Sequence, residues 1–186
     1  MNIIFDFDFT IAKTVENIWV WSPRGCNVHD GKRYYPMHPQ ELSNSGIGDD
    51  ETIDDDSFKE FYSINTSRAK SIIPVIKDII YYTEIKNYEV IILTARPQRV
   101  EDEVFYILKN NNVNTNKINF VGLTNSKAQA KIDYIINNIL TNKTDDIIIY
   151  EDSSSVIDLA IKNFPNLKYV QVSNTGRSSV LNYNNF

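Results

Sequence analysis

Short runs of apolar residues, separated by stretches with a helical pattern, constrain the fold of this chain more than any other feature of its sequence. Five such runs lie at Asn2–Phe5, Glu89–Leu93, Ile118–Val121, Asp146–Tyr150 and Lys168–Val172. The first, second and fourth are almost continuously apolar, which is typical of strands covered on both faces of a parallel sheet. The last run alternates polar and apolar residues, which predicts a strand at the edge of the sheet.

Apolar residues recur at helical spacing between the last four runs and before the second one. The predicted helices are Ser71–Tyr82, Val100–Lys109, Ala128–Leu140 and Ser154–Lys162. In the third of these, the apolar face is expected to contain Ile132, Ile135, Ile136 and Ile139. Strands that alternate with helices of this length predict βαβ units, and therefore an α/β fold with a doubly wound parallel sheet.

The segment from about Thr14 to Thr66 interrupts this alternation. It contains both tryptophans, a basic and aromatic stretch with Arg24 and Arg33, and two acidic runs. We interpret 14–66 as a small cap inserted after the first strand of a single domain that spans 1–186. Two roles for its aromatic residues stay open. They stack on a nucleobase while the arginines hold a second phosphate or a strand backbone, or they form the small core of the cap itself.

Composition excludes several classes of protein. No apolar stretch approaches the roughly 18 residues of a membrane-spanning helix, and the first residues lack the pattern of a signal peptide. The single Cys26 rules out a disulfide framework and fits a reducing compartment. A net charge of −5 argues against a protein that coats nucleic acid without specificity. We expect a cytoplasmic protein with no membrane association and no obligate protein partner.

Pairs of acidic residues follow two of the apolar runs. Asp6 and Asp8 come directly after the first run and, as residues i and i+2 of an extended segment, point to the same side. Two carboxylates so close repel each other unless they share a cation, and Mg²⁺ is a suitable one. Glu151 and Asp152 follow the fourth run, where they complete the oxygen ligands of a metal or favour the start of the next helix.

Three further polar residues lie in the same pattern. Thr94 directly follows the second run, where it contacts a phosphate or caps a helix, and Arg96 binds the same anion or is a solvated loop residue. Lys131 lies in the predicted helix before the fourth run, with Lys127 one turn earlier. Either lysine is solvated, or one points inward and neutralises a carboxylate and a phosphate.

The order of these elements resembles the signature of the haloacid dehalogenase superfamily of phosphohydrolases. The matching residues are Asp6-Phe7-Asp8-Phe9-Thr10, Leu93-Thr94, Lys131 and Tyr150-Glu151-Asp152, and the resemblance covers about 1–13 and 70–172. Within the superfamily the chain resembles small proteins of large tailed phages and, more distantly, nucleotidases and polynucleotide 3′-phosphatases. It departs from the pattern at Phe9, where glycine is usual, and at Glu151, where aspartate is usual.

The resemblance implies a strand order of 3-2-1-4-5 and a mechanism. Asp6 is implied to be the nucleophile, Asp8 the general acid and base, and Thr94 and Lys131 the groups that stabilise the transferring phosphoryl group. Mg²⁺ is implied to bind Asp6, the Asp8 backbone carbonyl and Glu151 or Asp152. Thr10, Arg96, Arg24 and Arg33 are the candidate substrate-binding residues. A phage origin implies the host cytoplasm as the location.

The predicted function is Mg²⁺-dependent hydrolysis of a phosphomonoester through an aspartyl-phosphate. The expected substrate is a nucleotide or a phosphorylated nucleic-acid end, and a small sugar phosphate is the alternative. Phosphoryl transfer to a sugar ranks lower, because a mutase usually has a larger cap. A non-catalytic phosphate-binding protein with the same fold is the remaining hypothesis.

Overall fold

The computed structural model describes residues 1–125, 127–140, 146–173 and 178–181. The chain divides into two compact units. The core unit comprises Met1–Thr14 and Ala69–Phe186, and the inserted unit comprises Val15–Arg68. The inserted unit therefore spans nearly the same residues as the insertion expected at about 14–66.

The described residues contain eleven strands and five α-helices. The strands are β1 (Asn2–Phe5), β2 (Ala12–Lys13), β3 (Ile18–Trp21), β4 (Asn27–His29), β5 (Lys32–Met37), β6 (Lys70–Ser71), β7 (Val90–Thr94), β8 (Ile118–Gly122), β9 (Ile147–Glu151), β10 (Lys168–Val172) and β11 (Ser178–Leu181). The helices are α1 (Pro39–Ser45), α2 (Ile73–Ile80), α3 (Glu101–Asn110), α4 (Ala128–Tyr134) and α5 (Ser154–Asn163).

The central sheet of the core unit has the order β11-β10-β9-β1-β7-β8. Neighbours from β10 to β8 pair in parallel, and β11 pairs antiparallel with β10. This confirms the predicted α/β class with a parallel sheet built from the five apolar runs. The expectation that β10 is an edge strand was wrong, because β11 covers its outer edge through backbone hydrogen bonds.

Burial explains why the central strands are so apolar. Every residue of β9 is buried, as are Ile3, Ile4 and Phe5 of β1. Strands enclosed on both faces have no solvent-facing side, so alternation of polar and apolar residues disappears. These two strands form the middle of the sheet, and the residues that follow them are held on a rigid support.

The helix before β9 differs from its prediction. α4 ends at Tyr134 and continues as a π-helical turn over Ile135–Ile139. Ile132, Ile135 and Ile139 pack into the core with Ile4 and Ile149, as predicted. Ile136, however, is 43% exposed, so its placement on the buried face was wrong. The wider π turn moves residues away from the face expected from a regular 3.6-residue period.

The inserted unit contains a three-stranded antiparallel sheet of order β3-β5-β4. Ile18, Val20, Trp21 and Met37 are buried there. The irregular sequence pattern of this segment did not predict the sheet, because its strands are short and carry aromatic residues on a partly exposed surface. Across the described part of the chain, every helix is too short or too polar to cross a bilayer.

Candidate active site

The parallel pairing of β1 and β9 brings Asp6 and Glu151 side by side. Phe5 pairs with Tyr150, and the Asp6 backbone N–H donates to the Tyr150 carbonyl oxygen at 2.9 Å. Asp6 follows β1 directly and Glu151 is the last residue of β9. Their proximity is therefore a consequence of strand register, and it lies at the carboxyl edge of the sheet, where α/β proteins commonly bind ligands.

A buried lysine joins these two acids. The Lys131 ammonium donates to Asp6 Oδ1 at 2.7 Å and to Glu151 Oε2 at 2.7 Å. The exposed fractions of Lys131, Asp6 and Glu151 are only 9%, 6% and 2%. Lys127, one turn earlier, is exposed and precedes α4. The structure thus places Lys131, rather than Lys127, at the predicted site.

Three acidic side chains form a cluster with the geometry of a cation site. Carboxylate oxygens of Asp6, Glu151 and Asp152 all lie within 4.8 Å of one another. Carboxylate oxygens are the ligands that Mg²⁺ prefers in proteins. The residues present therefore fit the divalent cation that the superfamily resemblance implies.

The charges of this cluster shift its proton equilibria. Burial, together with the nearby Glu151 charge, raises the pKa of Asp6 to about 7, and Lys131 opposes that shift. Burial and the charges of Glu151 and Asp6 raise the pKa of Asp152 to about 9. Burial alone would lower the pKa of Lys131, but its two carboxylate partners outweigh burial and hold it above the usual value. When all three acids are ionised, their negative charge exceeds the single positive charge of Lys131, which is the condition that favours binding of a cation.

Asp8 has a separate cationic partner. The Arg96 guanidinium donates from Nε to Asp8 Oδ1 at 3.1 Å and Oδ2 at 3.0 Å, and from Nη2 to Oδ1 at 2.8 Å. The Thr14 hydroxyl adds a hydrogen bond to Oδ1 at 2.6 Å. Arg96 has no exposed surface. The solvated-loop interpretation of Arg96 was therefore wrong, and its role in binding substrate stays a prediction.

Thr94 and Thr10 are both completely buried. The Arg96 backbone N–H donates to Thr94 Oγ1 at 3.2 Å, which fixes the hydroxyl at the end of β7. Thr10 Oγ1 has no hydrogen-bond partner within the described parts of the chain. A buried hydroxyl without a partner is costly. The substrate contacts predicted for Thr10 and the phosphate contact predicted for Thr94 both stay predictions.

The loop after β1 holds an unusual backbone conformation. Phe9, the residue that replaces the customary glycine, has a φ of 59°. This left-handed region is one that glycine adopts readily and a side chain disfavours, at a cost of roughly 1–2 kcal/mol. The fold therefore keeps the backbone shape expected of a glycine although the sequence supplies phenylalanine. Strain of this kind persists where surrounding contacts fix the chain, often at functional sites.

Arg24 and Arg33 belong to the inserted unit. Arg24 pairs with Asp50 at 2.7 Å and Glu51 at 3.3 Å, and Arg33 donates to the Gly25 carbonyl oxygen at 3.3 Å. Both arginines are exposed. Their proposed contacts with substrate stay predictions.

The aromatic residues of the inserted unit contact each other. Trp19 stacks on Tyr34 with ring centroids 4.5 Å apart, and Trp21 meets Tyr34 edge-on at 5.6 Å. Trp19 Nε1 also donates to Glu60 at 2.9 Å. These contacts favour the interpretation in which the aromatic residues form the packing of the unit itself.

Sequence reasoning identified the acidic cluster and its lysine but missed two partners of Asp8. Thr14 was treated as the start of the insertion, and Arg96 was assigned to an anion. One signal for Arg96 was available. Arg96 comes two residues after β7, the buried strand next to β1. An arginine at that position has the carboxylates that follow β1 as its natural partners. No sequence pattern indicated Thr14.

Comparisons of the chain with protein-family models, with curated proteins and with solved structures found no match. The resemblance to the haloacid dehalogenase superfamily therefore depends on the motif residues quoted above, and on the geometry in which they are arranged.

Proposed function

We propose that this protein is a Mg²⁺-dependent phosphomonoester hydrolase of the haloacid dehalogenase type, with Asp6 as its nucleophile. The observation that carries the proposal is the buried Lys131 ammonium, 2.7 Å from both Asp6 and Glu151, beside the three-carboxylate cluster. An anionic nucleophile can approach an anionic phosphate only if positive charge offsets their repulsion. Lys131 supplies one such charge next to the attacking group.

The proposed reaction has two steps. A carboxylate oxygen of Asp6 attacks phosphorus, the bond from phosphorus to the ester oxygen breaks, and Asp8 gives a proton to the departing alcohol. Asp8 then takes a proton from a water molecule that attacks the aspartyl-phosphate. Inorganic phosphate leaves and the Asp6 carboxylate is restored. Lys131 and Thr94 stabilise charge on the phosphoryl oxygens in both steps.

The metal is part of the proposal. Asp6, Glu151 and Asp152 would hold Mg²⁺, with the Asp8 backbone carbonyl as a further ligand. When bound, Mg²⁺ supplies Lewis-acid charge that offsets the negative charge of the phosphate. The raised pKa values of Asp6 and Asp152 reflect the repulsion between crowded carboxylates, which bound protons relieve in the absence of a metal and which Mg²⁺ would relieve in their place.

The fold supports the same proposal. Numbered along the chain, the five parallel strands lie in the order 3-2-1-4-5, which is the order that the resemblance implies. The inserted unit follows the first strand, at the position where a cap would be expected. We propose that this unit selects the substrate, and that the substrate is a nucleotide or a phosphorylated nucleic-acid end. The exposed Arg24, Lys32 and Arg33 offer positive charge for such a ligand.

Release of inorganic phosphate tests the activity. The purified chain is incubated with p-nitrophenyl phosphate, nucleoside monophosphates, 3′-phosphorylated oligonucleotides and sugar phosphates, each with Mg²⁺ or with EDTA. Hydrolysis is expected only with Mg²⁺. Reduction of the reacting enzyme with borohydride, followed by peptide mass spectrometry, should convert Asp6 to homoserine, which marks an aspartyl-phosphate.

The same experiment separates the competing hypotheses. Asp6→Asn is the matched control, because it preserves shape but removes the nucleophile. Binding of phosphate esters without phosphate release or labelling would support a non-catalytic protein instead. Equal hydrolysis of base-free sugar phosphates would remove the nucleotide from the proposal while leaving the phosphatase in place.

A further inference from the structure

Arg96 combines two features that rarely occur without a function. Its side chain has no exposed surface, and its guanidinium meets a carboxylate that lies at the candidate active site. Burial of a guanidinium costs several kcal/mol unless good hydrogen bonds compensate for the lost water. The bonds to Asp8 provide that compensation, with both carboxylate oxygens engaged by one planar group.

The bonds to Asp8 are distributed unequally between its oxygens. Within the described parts of the chain, Oδ1 accepts from Arg96 Nε and Nη2 and from the Thr14 hydroxyl, whereas Oδ2 accepts from Arg96 Nε. A carboxylate oxygen has about two lone-pair directions. Oδ1 is therefore saturated, and Oδ2 keeps a direction for one more partner.

Arg96 also contacts the strand that carries Thr94. Its backbone N–H donates to Thr94 Oγ1 at 3.2 Å. One residue thus fixes the orientation of Asp8 through its side chain and the orientation of Thr94 through its backbone. The loop that bears Arg96 is in turn packed closely, because a Cβ on Gly122 would collide with the Gln98 backbone nitrogen.

We propose that Arg96 is a positioning residue that holds Asp8 Oδ2 toward the leaving group and does not itself bind the substrate. This inference rests on the proposed function. In the first step the proton on Oδ2 passes to the ester oxygen as the bond to phosphorus breaks, and the Asp8 carboxylate that remains is stabilised by the Arg96 charge. In the second step Oδ2 takes a proton back from the attacking water.

Leaving-group dependence tests this role. A poor leaving group, such as the alcohol of an alkyl phosphate or a nucleoside monophosphate, needs a proton as it departs. p-Nitrophenolate departs readily without one. If Arg96 orients the proton donor, its loss should slow the hydrolysis of esters with a poor leaving group much more than the hydrolysis of p-nitrophenyl phosphate. A purely structural role would slow both alike.

The variants are Arg96→Met, which keeps an unbranched apolar stem without the guanidinium, and Arg96→Lys, which keeps the positive charge. For Arg96→Met we expect the single-turnover rate of alcohol release, which reports the first step alone, to fall about 100-fold on an alkyl phosphate, since general acid–base catalysis contributes about 10²- to 10⁴-fold. On p-nitrophenyl phosphate the fall should be under about tenfold. KM should stay unchanged on both substrates. Arg96→Lys should recover part of the loss, and Asp8→Asn should show the same substrate dependence as Arg96→Met.

Arg99→Met is the matched control, because Arg99 is an exposed arginine of the same loop. It should leave both rates unchanged. If Arg96→Met fails to fold, Thr14→Val is the second variant, because it removes the hydrogen bond from the uncharged Thr14 hydroxyl to Asp8 Oδ1. It should show a weaker form of the same dependence on the leaving group.

Three outcomes would overturn the inference. They are an equal loss on both substrates with folding intact, a rise in KM with kcat preserved, and additive losses in the Asp8→Asn, Arg96→Met double variant. The second would restore Arg96 as a substrate ligand. Failure of the proposed function would be visible separately, because the unaltered chain would then release no phosphate from any ester.

Discussion

Two cations of the core unit lie in an environment opposite to that of two cations of the inserted unit. In the core unit the side chains of Arg96 and Lys131 are 0% and 11% exposed, and each faces a carboxylate at the end of β1. In the inserted unit Arg24 and Lys32 are each 68% exposed and pair with acids at the surface. Charged groups of similar chemistry are thus desolvated in one unit and solvated in the other.

This difference indicates where the chain uses charge for chemistry. Buried ion pairs are weak contributors to net stability, because desolvation opposes the attraction between the partners. Stability therefore does not explain why the core unit retains two of them, at acids only two residues apart in the sequence. Acid groups with strongly shifted pKa values cluster at functional sites, and Asp6 and Asp152 are of this kind. Exposed ion pairs such as Arg24–Asp50 give no comparable indication of a functional site.

The largest expected effect comes from Asp6→Asn. Loss of the nucleophile should lower kcat by at least about 10⁴-fold. Stability without metal should not fall, because Lys131 keeps an oxygen acceptor while a buried negative charge beside Glu151 is removed. Phosphate release and urea unfolding with EDTA measure the two quantities. Residual activity near that of the unaltered chain would show that Asp6 is not the nucleophile.

Lys131→Met, compared with Lys127→Met, tests the contrast between buried and exposed cations directly. Removal of Lys131 leaves the Asp6 and Glu151 carboxylates without their shared counter-charge, and we expect a loss of about 3–5 kcal/mol in the free energy of unfolding. Lys127 is exposed, so its variant should change stability by less than about 0.5 kcal/mol. Activity should follow the same order.

Urea unfolding with EDTA compares the two variants under identical conditions. Equal stabilities would mean that the Lys131 ammonium is solvated in solution. A larger effect at Lys127 would mean that the register of α4 is wrong by one turn.

The third effect is the dependence of stability on metal and pH. The raised pKa values of Asp6, about 7, and Asp152, about 9, lie above their usual 3.8. The folded chain therefore binds more protons than the unfolded chain, so metal-free stability should fall as pH rises from about 4 to about 9. Mg²⁺ displaces those protons, and its stabilisation should grow over the same interval.

Thermal unfolding with saturating Mg²⁺ or EDTA measures this dependence. At a Mg²⁺ concentration of 100 times the Kd at pH 6 the expected gain at that pH is about 2.7 kcal/mol. At the same concentration the gain should be greater at pH 9, where fewer protons compete for the carboxylates and Kd is lower. Asp152→Asn should reduce the dependence on pH. A gain that is the same at both pH values would place the ion elsewhere.

The parallel sheet was predictable because its residues carry a local signal. Strands such as β1 and β9 are apolar throughout, and the helices between them have a clear period. β11 was missed because it contains Ser178-Ser179 and forms by pairing with the edge of β10, so no apolar pattern of its own indicates a strand. The exposure of Ile136 was missed because a π-helical turn changes the period within one continuous apolar segment.

The candidate site was predictable only in part, for a related reason. Asp6, Glu151, Asp152 and Lys131 follow strands or lie on a helix, so the topology decides their neighbours. The partners of Asp8 depend instead on how the loops after β1 and β7 are folded. Arg96 reaches Asp8 across 88 residues of sequence and Thr14 across 6, and neither distance is encoded in a periodic pattern.

The smallest expected effect concerns the exposed arginines of the inserted unit. Arg24 already has two carboxylate partners, whereas Arg33 Nη1 donates to a backbone carbonyl, which carries no full charge. If this unit binds a phosphorylated nucleic-acid end, Arg33 is the side chain whose charge is available for it.

Arg33→Met should therefore raise KM for a 3′-phosphorylated oligonucleotide by up to about fivefold, since a solvated ion pair contributes at most about 1 kcal/mol. Arg24→Met should raise it less than about twofold, and neither change should alter kcat. Steady-state kinetics at low and high salt measure both, and the Arg33 effect should shrink as salt screens the charge. Equal and salt-independent effects of the two variants would show that the arginines act through the fold of the unit and not on a bound phosphate.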